Sequence, residues 1–125
     1  MFFEVSKQDW KLFRERIVSW QEAYMERLAQ EYIAILSGDA SGSEKWWALE
    51  KRIKQDRKSP GVIVELRKSE VPWILRELLH EQAITPDDLE GFSDELTERV
   101  LWLHRNDLKS DLESDPEEKE TEEIG

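Results

Sequence analysis

At 125 residues the chain has room for one domain. It carries 18 Lys+Arg against 29 Asp+Glu, a net charge of −11, with two His, six Trp and no Cys, which excludes a disulfide framework, a Cys-ligated zinc or iron–sulfur centre and a thiol nucleophile. The longest apolar runs, Tyr32–Leu36 and Val71–Leu75, hold five residues each against the ~20 that a membrane-spanning helix needs, and Glu4 interrupts any leader-type apolar stretch, so a cytoplasmic protein is expected.

Ser6 and Asp9 are spaced as a capping box, and Val5 with Trp10 as a hydrophobic staple, which predicts a helix start. Trp10, Phe13, Ile17, Trp20, Tyr24 and Leu28 then recur at steps of three and four. Met25, Ala29, Tyr32 and Leu36 form a second stripe beside them. Gly38 closes the run where a left-handed cap is expected. Some thirty residues make a rod of about 45 Å, longer than a body ending near residue 105 requires. Its broad apolar face calls for a partner or a second copy.

Ser41 and Glu44 repeat the capping signal and predict a second helix from Glu44 to about Lys58, with Trp46, Leu49 and Ile53 on one face and Trp47 alongside. Ser59-Pro60-Gly61 stops it. Val62–Leu66 has strand-like residues but no second run to pair with, and is expected to be an extended connector, the alternative being a strand that pairs across a dimer. Ser69 is expected to cap a third helix, with Pro72 in its first turn and Trp73, Ile74, Leu75, Leu78 and Leu79 on the buried side. Thr85, Pro86 and Asp88, with the Ile84/Leu89 pair, mark a short helix closed by Gly91. Ser93 caps the last helix, lined by Leu96, Val100, Leu101 and Leu103. Residues 106–125 carry nine acids, two lysines and three apolar side chains. They are expected to be a disordered acidic tail from about Asn106 or a turn later, because so little apolar surface cannot offset the entropy of ordering.

The stretches Phe3–Ile17, Trp46–Val62 and Ile84–Leu96 resemble short, acidic, helical bacterial proteins often carried on mobile elements. The resemblance covers most of residues 3–105. It implies a bacterial cytoplasmic protein and brings no functional residue with it.

Catalytic patterns are sparse. Glu77-x-x-His80 has the spacing of a di-metal carboxylate ligand pair but occurs once, and His80 and His104 are each expected near a helix C-terminus, where the dipole favours a cation. Neither a nucleophile elbow nor a phosphate loop is present. No enzyme activity, cofactor or metal is expected. Lys51, Arg52, Lys54, Arg57 and Lys58, near Trp46 and Trp47, form a basic run of the kind that meets phosphates beside stacking rings, although the net charge opposes attraction to nucleic acid. The acids from Asp87 to Glu98 offer it a complementary segment, within one copy or between copies. Six Trp are more than a body of this size readily hides, so one or two rings are expected at a contact.

Together these features predict an all-α fold, a small helical bundle with a long N-terminal helix and a C-terminal helical hairpin. The domain spans 1–105 and the acidic tail 106–125. The expected function is non-catalytic protein–protein interaction by a homodimer, with Trp20, Tyr24, Trp46 and Trp47 at the partner surface. The alternatives are a nucleic-acid-associated regulator using the basic 51–58 segment, or an acidic nucleic-acid mimic acting on a basic partner.

Overall fold

Ser6 is extended and its Oγ accepts the Asp9 amide N–H at 3.1 Å, which starts α1, Lys7–Ser37. The computed structural model describes residues 3–113, with backbone alone for 107–113. Three more α-helices follow: α2, Gly42–Asp56; α3, Val71–His80; and α4, Asp94–Glu113. Short 3-10 turns at Lys68–Glu70 and Pro86–Leu89 precede α3 and α4. The described residues contain no strand, and Val62–Arg67 is an extended connector. The protein is an all-α small bundle with a long first helix.

The core lies between the first half of α1 and the α3–α4 hairpin. Phe13 and Ile17 from α1, Val71, Leu75 and Leu78 from α3, and Leu96 and Val100 from α4 are sealed from solvent. Leu89 and Phe92 close the end of this layer from the turn between the helices. Leu101 packs against it as expected. Trp73, placed by its spacing on the buried side of α3, is exposed instead and lies under the Arg76 guanidinium. Val71, Ile74, Leu75 and Leu78 already fill the α3 face, leaving no room there for an indole.

Long-range polar contacts fix α1 on this hairpin. The buried Asp9 carboxylate does not complete a local box; it accepts from the Ser93 backbone N–H at 2.8 Å and from Ser93 Oγ at 2.5 Å. Ser93 Oγ in turn accepts the Leu96 N–H and caps α4. Arg16 donates to the carbonyls of Asp88 and Glu90. Arg27 donates to those of Gln82 and Glu81, at 2.7 and 3.2 Å, just where α3 ends.

Several expected ends move. Gly38 is extended rather than left-handed. Among the described residues the left-handed positions are Gln82 and Gly91, with φ of 60° and 98°. α3 starts after a 3-10 turn at Glu70, with no side-chain cap from Ser69. The Thr85–Asp88 box is present, on a 3-10 turn rather than an α-helix. α4 runs through Glu113, so helix persists beyond the expected boundary at Asn106. Leu, Lys and Glu there have good helix propensity, and extending an existing helix needs no new nucleus. His104 is therefore inside a helix, not at its end. Residues 114–125, most of the expected acidic tail, lie outside the described residues.

Candidate docking surface

Beyond Arg27, α1 leaves the core and runs beside α2 and the start of the connector. α2 has no buried residue. The side it turns to α1 is carried by the half-buried Lys45, Leu49, Arg52 and Asp56, spaced four, three and four apart. That edge is largely polar, and a polar network secures it. The Tyr32 hydroxyl donates to Asp56 Oδ2 at 2.5 Å. Arg52 bonds Glu31 at 2.9 Å, approaches Asp56 at 3.5 Å, and lies 5.7 Å from the Tyr32 ring centroid. Burial, then the Asp56 carboxylate, pushes the Tyr32 hydroxyl up to about 12 from 10.0. The hydrogen bond to Glu31 is the largest cause holding the Arg52 proton more tightly than usual.

The turn after α2 locks the other end. Ser59 is buried, its carbonyl accepts the Val62 and Ile63 N–H groups, and its Oγ accepts the Gly61 N–H at 3.1 Å. Gln21 Nε2 donates to the Pro60 carbonyl at 3.0 Å. Gly61 presses against Tyr24 so closely that a Cβ there would stand 2.5 Å from the ring. This close approach is why a glycine is needed and why Tyr24 is buried.

A groove of about 330 Å³ remains open along the hairpin, walled by Met25, Leu28, Ala29 and Tyr32 of α1 and Ile53, Asp56 and Arg57 of α2, with Val62 and Ile63 at its floor. Its apolar character continues onto exposed Val18, Ile33 and Leu36 of α1 and onto Trp46 of α2. Trp46 and Trp47 meet edge to face at 4.8 Å, and 59% and 64% of their surfaces remain exposed. The exposed apolar surface is thus gathered on the α1–α2 hairpin and the connector after it.

The expected partner residues divide. Trp46 and Trp47 are on this surface. Tyr24 is not: at 6% exposure it packs inside the chain under Gly61. Trp20 is half-buried and tilts against Phe92 at 6.4 Å, so it serves the core more than a surface. Four of the six Trp are substantially exposed, Trp73 and Trp102 being the other two. The residues not assigned to the surface by sequence were Val18, Met25, Ile33, Leu36, Ile53 and Ile63. The second α1 stripe was the signal for Met25 and Leu36; Ile53 was placed on the apolar face of α2, Val18, Ile33 and Ile63 lay outside those stripes, and the lack of cover for all six could be read only from the packing.

The basic run does not form one patch. Arg52 turns inward to Glu31 and Asp56. Arg57 walls the apolar groove. Lys51, Lys54 and Lys58 share the outer face of α2 with Trp47, along with Glu50, which pairs with Lys54 at 3.2 Å. The run spreads because consecutive helical residues turn by ~100°. Its ion pairs are with Glu31, Asp56 and Glu50, all within the α1–α2 hairpin, rather than with the Asp87–Glu98 segment.

Among the described residues no three His, Asp or Glu side chains are grouped as metal ligands. The Glu77 carboxylate is engaged by Arg76. No described helix is long and apolar enough to cross a membrane. Comparison with family profiles, curated proteins and solved structures finds no match.

Proposed function

We propose that this is a non-catalytic interaction protein that works as a homodimer and docks another protein through its α1–α2 hairpin. One observation carries the reading: α2 buries none of its residues, yet it holds the exposed Trp46/Trp47 pair. Long aromatic side chains held rigidly in water are the usual anchors of protein interfaces, since they bury a large area at small entropic cost. The α3–α4 body fixes the first half of α1 and so determines where the hairpin projects.

The second reading, contact with nucleic acid, rests on the outer face of α2. Trp47 there lines a shallow groove of about 410 Å³ with Lys51, Lys54 and Lys58. Three lysines and one ring give a weak electrostatic footprint, and Glu50 with the net charge of −11 subtracts from it.

Affinity capture from native lysate, comparing the full chain with its Trp47→Ala and Lys51→Glu variants, tests both. Under the interaction reading a defined protein is retained by the parent and lost with Trp47→Ala, while circular dichroism stays unchanged. Equal retention by parent and variant refutes it. A mobility shift of labelled single-stranded nucleic acid that disappears with Lys51→Glu moves the conclusion to the second reading.

A further inference from the structure

We propose that the open groove of the hairpin is filled by the same hairpin of a second copy, giving an antiparallel four-helix bundle in which α1 of each copy stacks on α2 of the other. This rests on the interaction reading above and assigns the groove side of the hairpin to self-pairing.

The charges on the two rims support it. Going round α1 away from α2, the apolar stripe of Met25 and Ala29 gives way to Glu22 and Glu26, each three residues earlier and hence a neighbour on the helix surface. On the far wall Arg57 stands at the edge of the groove. Glu22, Glu26 and Arg57 are all exposed, and among the described residues none has an ion-pair partner. Beside the groove, the α1 rim thus offers unpaired carboxylates and the far wall one unpaired guanidinium, while Asp56 on that wall is already engaged by Tyr32 and Arg52.

Register makes the match specific. Residues 25–29 of α1 and 53–57 of α2 wall the same stretch of groove, which places Glu26 and Arg57 at one level on opposite rims. A two-fold axis running along the groove keeps that level and exchanges the walls. It sets Glu26 of each copy against Arg57 of the other, so the contact forms twice. The same operation lays the small Ala29 opposite the larger Ile53 and brings Leu36 to the level of Trp46. All neighbouring helices are then antiparallel, as in up-and-down bundles. From Met25 to Leu36, about 17 Å of α1, two helices make the face about 20 Å wide, and Val18 extends it on α1 alone; a contact of this extent lies at the low end of specific interface sizes. Trp47, Lys51 and Lys58 stay on the outside of the bundle, free for another protein.

Light scattering of the purified full chain, with charge reversal at the two rim residues, tests the geometry. The parent is expected to be a dimer. Glu26→Arg and Arg57→Glu should each weaken dimerisation at least tenfold, and the double variant should restore it, with circular dichroism confirming that each variant is folded. A monomeric parent overturns the proposal, as does a dimer whose single variants are unaffected or whose double variant is not restored. A monomeric parent also removes the homodimer from the functional reading, whereas the docking of another protein is judged separately by the capture test with Trp47→Ala, because that residue lies outside the proposed contact.

Discussion

Replacing Asp9 by Ala probes the contact that joins the first turn of α1 to the start of α4. The buried carboxylate accepts two hydrogen bonds from Ser93, at 2.8 Å from the amide N–H and 2.5 Å from Oγ. Hydrogen bonds to a charged group contribute about 1.5–3 kcal/mol each, and they are not fully additive when one residue supplies both donors. Loss of an acid from the first turn of α1 adds about 0.5 kcal/mol through the helix dipole. Ser93 is exposed enough for water to replace part of what is lost, so about 3 kcal/mol of destabilisation is expected. For a domain of this size that corresponds to a fall in Tm of about 9–15 °C. Urea unfolding followed by far-ultraviolet circular dichroism measures it. Asp9→Asn, which keeps one acceptor oxygen, should lose about half as much. In a double-mutant cycle with Ser93→Ala the coupling should be about 1 kcal/mol or more. A loss below about 1 kcal/mol for Asp9→Ala, or additive single variants, would refute the view that this carboxylate caps α4 across the fold.

Gly61→Ala should cost about 1–3 kcal/mol, since its Cβ would enter the Tyr24 ring at 2.5 Å, and hydrogen exchange should place the loosening in the α1–α2 hairpin rather than in α3–α4. Gln82→Gly should stabilise the chain by about 1 kcal/mol, because Gln82 holds a φ of 60° to end α3; thermal unfolding reads the gain. Tyr32 keeps its proton to about 12 in the folded chain, against 10.0 unfolded, so the folded state binds more protons above pH 10 and stability falls as pH rises from 10 through 12. Phenolate absorbance should reveal one late-ionising tyrosine, and Tyr32→Phe should abolish that component.

The local signals were legible because each depends on neighbouring residues. Ser6, Ser41 and Ser93 mark helix starts by accepting the amide N–H three residues on, and Thr85 marks its turn by donating its own N–H to the Asp88 carboxylate. The apolar steps from Phe13 to Leu28 follow from the helical repeat. Signals that compete over distance were misread. Asp9 has the right spacing for a local box, yet Ser93 offers it two donors from 84 residues away. Gly38 has the freedom for a left-handed cap, but nothing in the fold requires it there, whereas Gln82 takes that conformation as α3 ends and its carbonyl accepts from Arg27.

The sequence by itself determined the helices, the all-α class, the connector and the abundance of Trp, since helix caps, apolar period and turn residues act over one or two turns of chain. Which apolar residues stay uncovered was decided by the tertiary structure alone. Two apolar stripes run along α1, and nothing in the pattern says that Met25 and Leu36 are less covered than Phe13, Ile17 and Tyr24. The last three are buried because α3, α4 and Gly61 come to lie on one side of α1 and nothing in the described chain lies on the other. The basic run likewise looks like a single patch until α2 is docked. Glu31 and Asp56 then take Arg52 inward, the groove takes Arg57, and the lysines are left on the outside. Burial belongs to pairs of surfaces, and a one-dimensional pattern supplies only one member of each pair.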